Sequence, residues 1–202
     1  MTQPDSQFPV SDAANLIWDG RYQQGWDGLR VGSPKVARTK SVLVVGIGNV
    51  LRRDDGFGPA VIQTLEKTPG LPPDVHLMEV GIGGLGLVLE LIDGYDTLVI
   101  VDAVDRGGRP GTLYLLEPVV PDLAALTNRH SPDLGTDMHQ VGPGKALIMA
   151  RALGVLPKTV RIIGCQPGET DEFSLELSQP VEESVRKAVQ MILEFLKSRS
   201  KR

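Results

Sequence analysis

The chain has 202 residues, 41% of them hydrophobic, enough for one sizeable core plus an appendage. Its net charge of −4 and its lack of any long basic run argue against nucleic acid as a partner. One cysteine, Cys165, excludes an internal disulfide framework and cysteine-cluster metal sites, and no apolar run is long enough to span a membrane.

Residues 1–39 read as an N-terminal extension, partly ordered, ahead of a single α/β domain over residues 40–202. The extension is polar and proline-containing, yet carries both tryptophans. Trp18, Tyr22 and Trp26 would share one face of a helix, although Gly20 and Gly25 oppose a stable isolated helix. The segment either folds back over apolar surface or docks a partner. It lacks the basic-then-apolar pattern of a secretory signal, so a cytoplasmic location is expected.

From residue 40 the pattern alternates strand and helix. The apolar run 42–47 predicts a buried strand, ending in Gly46-Ile47-Gly48-Asn49, a turn that glycines permit. Asp54 and Asp55 follow at the threshold of a helix predicted over 56–67. A second strand is expected over 75–80 and a short helix over 85–92, after the turn Gly81-Ile82-Gly83-Gly84. A third, strongly apolar strand spans 97–101 and ends at Asp102. A short strand over 112–116 follows too closely for a parallel crossover, so it is antiparallel to the third or displaced from it. Residues 117–141 read as irregular. A helix over 143–153, a last strand over 159–165 and an amphipathic helix over 181–197 complete the chain. Apolar strands with little alternation imply a sheet covered on both faces. The expected fold is therefore a three-layer α/β/α domain with a mostly parallel sheet.

Three residues stand out by chemistry and predicted place. Asp55 follows the first strand, Asp102 ends the third, and His139 sits in the long loop before the 143–153 helix. In doubly wound sheets these two strands are often neighbours whose carboxyl ends open a crevice. Two carboxylates and an imidazole form a ligand set suited to a borderline divalent ion such as nickel or zinc. Blander roles stay open for each. Asp54 or Asp55 caps the following helix, with Asp54 the candidate. Asp102 could make a structural hydrogen bond, and His130 shares the loop of His139. His76 reads as structural or exposed. Glu79, on the same rim, could orient a loop or a ligand, with the structural role favoured. Cys165 reads as core. The third glycine of a dinucleotide fingerprint is replaced by Leu51, and no P-loop, nucleophile elbow or zinc-protease helix occurs.

The run Gly46-Ile47-Gly48-Asn49-Val50-Leu51-Arg52-Arg53-Asp54-Asp55-Gly56-Phe57-Gly58 resembles the N-terminal signature of the [NiFe]-hydrogenase maturation endopeptidases. Glu79 to Gly84 is similar to the acid and glycine turn of that family, where Asp is more usual. Leu98 to Ala103, Ser131 to Gln140 and Gly164 to Pro167 with Glu169 resemble its later segments, in order, over about residues 40–197. The resemblance implies a phosphorylase/hydrolase-like fold, a mixed five-stranded sheet with one antiparallel strand. It implies an endopeptidase that removes the C-terminal peptide of a [NiFe]-hydrogenase large-subunit precursor after nickel insertion. It also implies that Asp55, Asp102 and His139 contact nickel that arrives with the substrate and carry the catalysis. A monomer is expected. The competing expectations are a non-cleaving, nickel-dependent recognition module or assembly chaperone, and a metal-dependent hydrolase of small substrates.

Overall fold

A computed structural model describes residues 41–81, 84–122 and 143–199. The extension, with Trp18, Tyr22 and Trp26, and the loop that carries His130 and His139 lie outside the described residues.

Five strands form one sheet: β1 Val42–Ile47, β2 Val75–Val80, β3 Thr97–Ala103, β4 Leu113–Leu116 and β5 Thr159–Cys165. Their order is β2-β1-β3-β5-β4. All neighbours run parallel except β4, which is antiparallel to β5. The short strand is thus both antiparallel and displaced: it bypasses β3 and becomes the edge beyond β5. That edge is half-solvated, as is β2 on the other side, whereas all six residues of β1 are buried. Central strands are apolar throughout because helices cover both of their faces.

The described helices are α1 Phe57–Glu66, α2 Leu85–Leu91, α3 Pro143–Ala152 and α4 Gln179–Arg199. Alternation along each strand divides the core in two. Val42, Val44, Val99, Val101 and Ile163 pack with α1 and α4 on one face. Leu43, Val45, Leu98 and Ile100 pack with α2 and α3 on the other. The three layers are those expected. No helix among the described residues is long and apolar enough to cross a membrane.

One contact sets how closely α1 approaches the sheet. A Cβ added to Gly58 would lie 2.3 Å from the Ile47 carbonyl oxygen and 2.5 Å from that of Val101. A Cβ on Gly46 would lie 2.5 Å from the Gly58 oxygen. Two bare backbones therefore touch where α1 begins, directly above the carboxyl ends of β1 and β3.

Candidate active site

The chain leaves β1 at Ile47 and must turn into α1 within nine residues. Gly48 takes φ +141°, and a Cβ there would sit 1.9 Å from the Asp55 carbonyl oxygen, so only glycine fits. The Asn49 N–H then donates to Asp55 Oδ2 at 2.9 Å, and the Asn49 side-chain oxygen accepts from the Leu51 N–H at 3.0 Å. A single turn of 3-10 helix, Arg53–Gly56, precedes α1. The predicted start of the helix at residue 56 therefore moves to Phe57, and both aspartates sit in the tighter turn before it.

Their roles divide in an unexpected way. Asp54 caps nothing: neither the 3-10 turn nor α1 has a side-chain cap. It is fully buried and binds the segment after β5 instead. Oδ2 accepts the N–H groups of Gly168 and Glu169 at 2.7 and 3.0 Å and the Ser178 hydroxyl at 2.8 Å. Oδ1 accepts the Ser178 N–H at 2.7 Å. Burial pushes this carboxyl up, but the backbone donors of Ser178, Glu169 and Gly168 and the Ser178 hydroxyl outweigh it and hold it below the usual carboxylate range. The expected cap is a buried tether between residues more than a hundred positions apart. Sequence reasoning missed it because nothing local marks Ser178 or Gly168 as partners.

Asp102 lies within β3, one position beyond the predicted end of the strand, and pairs in register with Gly164 of β5. Its carboxyl is pushed up to about 7, first by burial and then by the charge of Asp55, with the Ala103 N–H drawing it back. The two aspartates therefore meet electrostatically at the point where strand order reverses, between β1 and β3. This is where an open α/β sheet opens its crevice. On the far side of β1, Glu79 of β2 pairs with Gly46.

Two clefts flank the β1–α1 turn. One of ≈ 280 Å³ is lined by Arg52, Asp55, Ala103, Asp105, Pro167, Thr170 and Asp171. The other, of ≈ 300 Å³, is lined by Gly48, Asn49, Val50, Pro59, Glu79 and Gly81. Glu79 thus faces a cleft across the turn from Asp55, a position its sequence context left open. Gln166, which follows β5, ties the first cleft together. Its Oε1 accepts the Arg106 and Gly108 N–H groups at 2.8 and 3.1 Å, and its Nε2 donates to Asp105 Oδ1 at 2.8 Å. Sequence reasoning gave Gln166 no role of its own. Its only signal was its place between the last strand and Pro167.

Among the described residues, no group of three or more His, Cys, Asp or Glu side chains converges as a metal cage. His139, the third predicted ligand, lies outside the described residues, as does its rival His130. His76 is exposed on β2, with its ring edge-on to Tyr95 at 5.5 Å, away from any chemistry. Cys165 is buried, and burial followed by the charge of Asp54 pushes its thiol up to about 12, as a core residue rather than a nucleophile.

Comparison with known proteins agrees with this geometry. The family model described as hydrogenase maturation protease matches residues 59–195. The hydrogenase expression/formation protein HoxM of Azotobacter vinelandii is 34% identical over 159 residues, spanning 79% of this chain and 73% of HoxM. The Escherichia coli hydrogenase maturating endopeptidase HybD superposes with a TM-score of 0.64 at 31% identity, covering 78% of this chain and 93% of HybD. A hydrogenase 2 maturation peptidase from a Thaumarchaeota archaeon gives 0.57 at 36% identity, over 78% of this chain and 98% of that one. The chain belongs to the hydrogenase maturation protease family, the endopeptidases that process the C-terminus of the [NiFe]-hydrogenase large subunit.

Proposed function

We propose that this protein acts on a nickel-loaded large-subunit precursor, and that Asp55 and Asp102 receive the nickel as part of the substrate. The observation that carries the reading is the meeting of these two carboxylates at the β1–β3 switch point, beside a cleft that Asp55 lines. His139 is proposed as the third contact. The oxygen and nitrogen donors of this set suit a borderline divalent ion.

Two neighbouring carboxyls with no metal between them repel, and Asp102 responds by holding a proton near neutral pH. A cation arriving beside it displaces that proton and relieves the repulsion. The pair thereby favours a precursor that carries its metal over one that does not. The substrate's ion would supply Lewis acidity at the scissile carbonyl. Asp55, fixed by the Asn49 N–H, and Asp102, fixed in the β3–β5 ladder, would hold the peptide in register with it. The protein is proposed to work in the cytoplasm as a monomer.

The test is processing of a purified large-subunit precursor, with and without nickel, read by intact mass. A defined C-terminal peptide is expected to leave only the nickel-loaded form. Asp55→Asn, Asp102→Asn and His139→Ala are each expected to reduce processing at least about a hundredfold, the scale of losing a catalytic group. Full processing by all three variants overturns the assignment. Tight binding of the nickel-loaded precursor with no change in mass would make the protein a recognition module instead.

A further inference from the structure

The turn that carries Asp55 and the segment after β5 form a second feature that catalysis does not use. Arg52 and Ser174 are bridged as a parallel pair: the Arg53 N–H donates to the Ser174 carbonyl at 3.0 Å, and the Ser174 N–H to the Leu51 carbonyl at 3.1 Å. This register places Leu51 beside Phe173. Arg52 and Arg53 pair with Asp171 and Glu172. Asp54 holds the same segment at both of its ends, through Gly168 and Glu169 before it and Ser178 after it.

So firmly held a segment would be expected to turn its apolar side chains inward. It does the reverse. Phe173 is 84% exposed, Leu175 75% and Leu51 54%. Exposed apolar surface rimmed by charged pairs marks a protein contact rather than a folding error, and a rigidly presented aromatic loses little entropy on binding. The position is specific as well. Arg52, next to Leu51, and Thr170 and Asp171, three and two positions before Phe173, line the cleft that holds Asp55. A protein whose chain end lies in that cleft therefore comes close to this rim.

We propose that Leu51, Phe173 and Leu175 form the docking surface for the large-subunit precursor. The partner chemistry is an apolar protein surface close to the C-terminal segment that enters the cleft. The Asp54 tether then has a function beyond stability, because it fixes the docking rim to the turn that carries Asp55. The inference rests on the proposed activity for the identity of the partner.

The test uses the full chain carrying Phe173→Ser and Leu175→Ser together. Both side chains are largely solvated, so thermal unfolding should stay within a few degrees of wild type. Processing is measured against precursor concentration, and binding in an Asp55→Asn background by calorimetry. The expected result is a rise of tenfold or more in both KM and Kd, with the loss on KM rather than kcat. Ile92→Ser, at the far end of α2 and also exposed, is the control and should leave both within about twofold. Unchanged KM and Kd in the double variant overturn the proposal, as does an Ile92→Ser effect of equal size. A wild-type dimer that the double variant converts to monomer assigns the surface to a second copy and also overturns it. If wild type binds but cleaves nothing, the proposed activity fails while the Kd comparison still decides the docking surface.

Discussion

Asp54 and Asp55 are adjacent and chemically identical, yet their environments give them opposite tasks. Asp54 is fully buried and saturated by four donors, and Asp55 keeps one oxygen on the Asn49 N–H and lines a cleft. Asn is nearly isosteric with Asp but turns an NH₂ group toward donors. Asp54→Asn therefore leaves at least one part-buried N–H facing an NH₂ group and unpaired, at about 1–3 kcal/mol. The expected outcome is a clear fall in urea midpoint, by roughly 2 kcal/mol or more of stability. Ser178→Ala, which removes only the hydroxyl donor, should fall by about 1 kcal/mol. Equal, negligible losses in both would show that the tether is not a stabilising contact.

At the scale of elements, the site is positioned by how closely α1 lies on the sheet. The start of α1 and the carboxyl ends of β1 and β3 meet at Gly46 and Gly58, where only backbone fits between them. Gly58→Ala must push α1 away from two carbonyl oxygens that belong to strands and cannot yield. Overpacking of this kind costs about 1–3 kcal/mol. The same displacement moves the Asp55 turn relative to Asp102 in β3. The expected result is a lowered melting temperature together with a loss of processing larger than the stability loss explains. Gly70→Ala is the comparison. Unlike Gly58 it has positive φ, at +85°, and open space around it, so it should lower stability through backbone strain and spare processing. Gly46 was visible in the sequence as part of a turn motif, and Gly58 as part of the predicted helix. The packing role of the pair was not, because it depends on how α1 lies back on β1 and on which strand lies beside β1.

Across the whole molecule, the two perturbed aspartates give stability a pH dependence of mixed sign. Asp54 is held below its ordinary value, so its contribution is present above pH about 3.8 and is lost as pH falls through its folded value. Asp102 is raised to about 7, so the folded state binds more protons than the unfolded one between pH about 3.8 and 7. Its contribution is complete below that range and is lost as pH rises through it. Asp102→Asn mimics the protonated form at every pH. Thermal unfolding should therefore show the variant matching wild type near pH 4 and exceeding it at pH 8. A constant difference across that range would contradict the raised value.

The sequence by itself determined the order and type of the elements. Each depends on local information: apolar runs for strands, period-3.6 patterning for α4, and glycines where the chain must turn. It also marked Asp55 and Asp102, because a carboxylate at the end of an apolar strand is conspicuous within a few residues. What it left open was pairing. That β4 lies beyond β5, that Asp54 grips Gly168, Glu169 and Ser178, that Gln166 holds Asp105, and that Phe173 stands exposed beside the cleft all depend on contacts between distant residues. Such contacts leave no local period to read. They exist only once the sheet has closed, because burying a carboxylate or fixing an exposed loop costs free energy that only partners from elsewhere in the chain can offset.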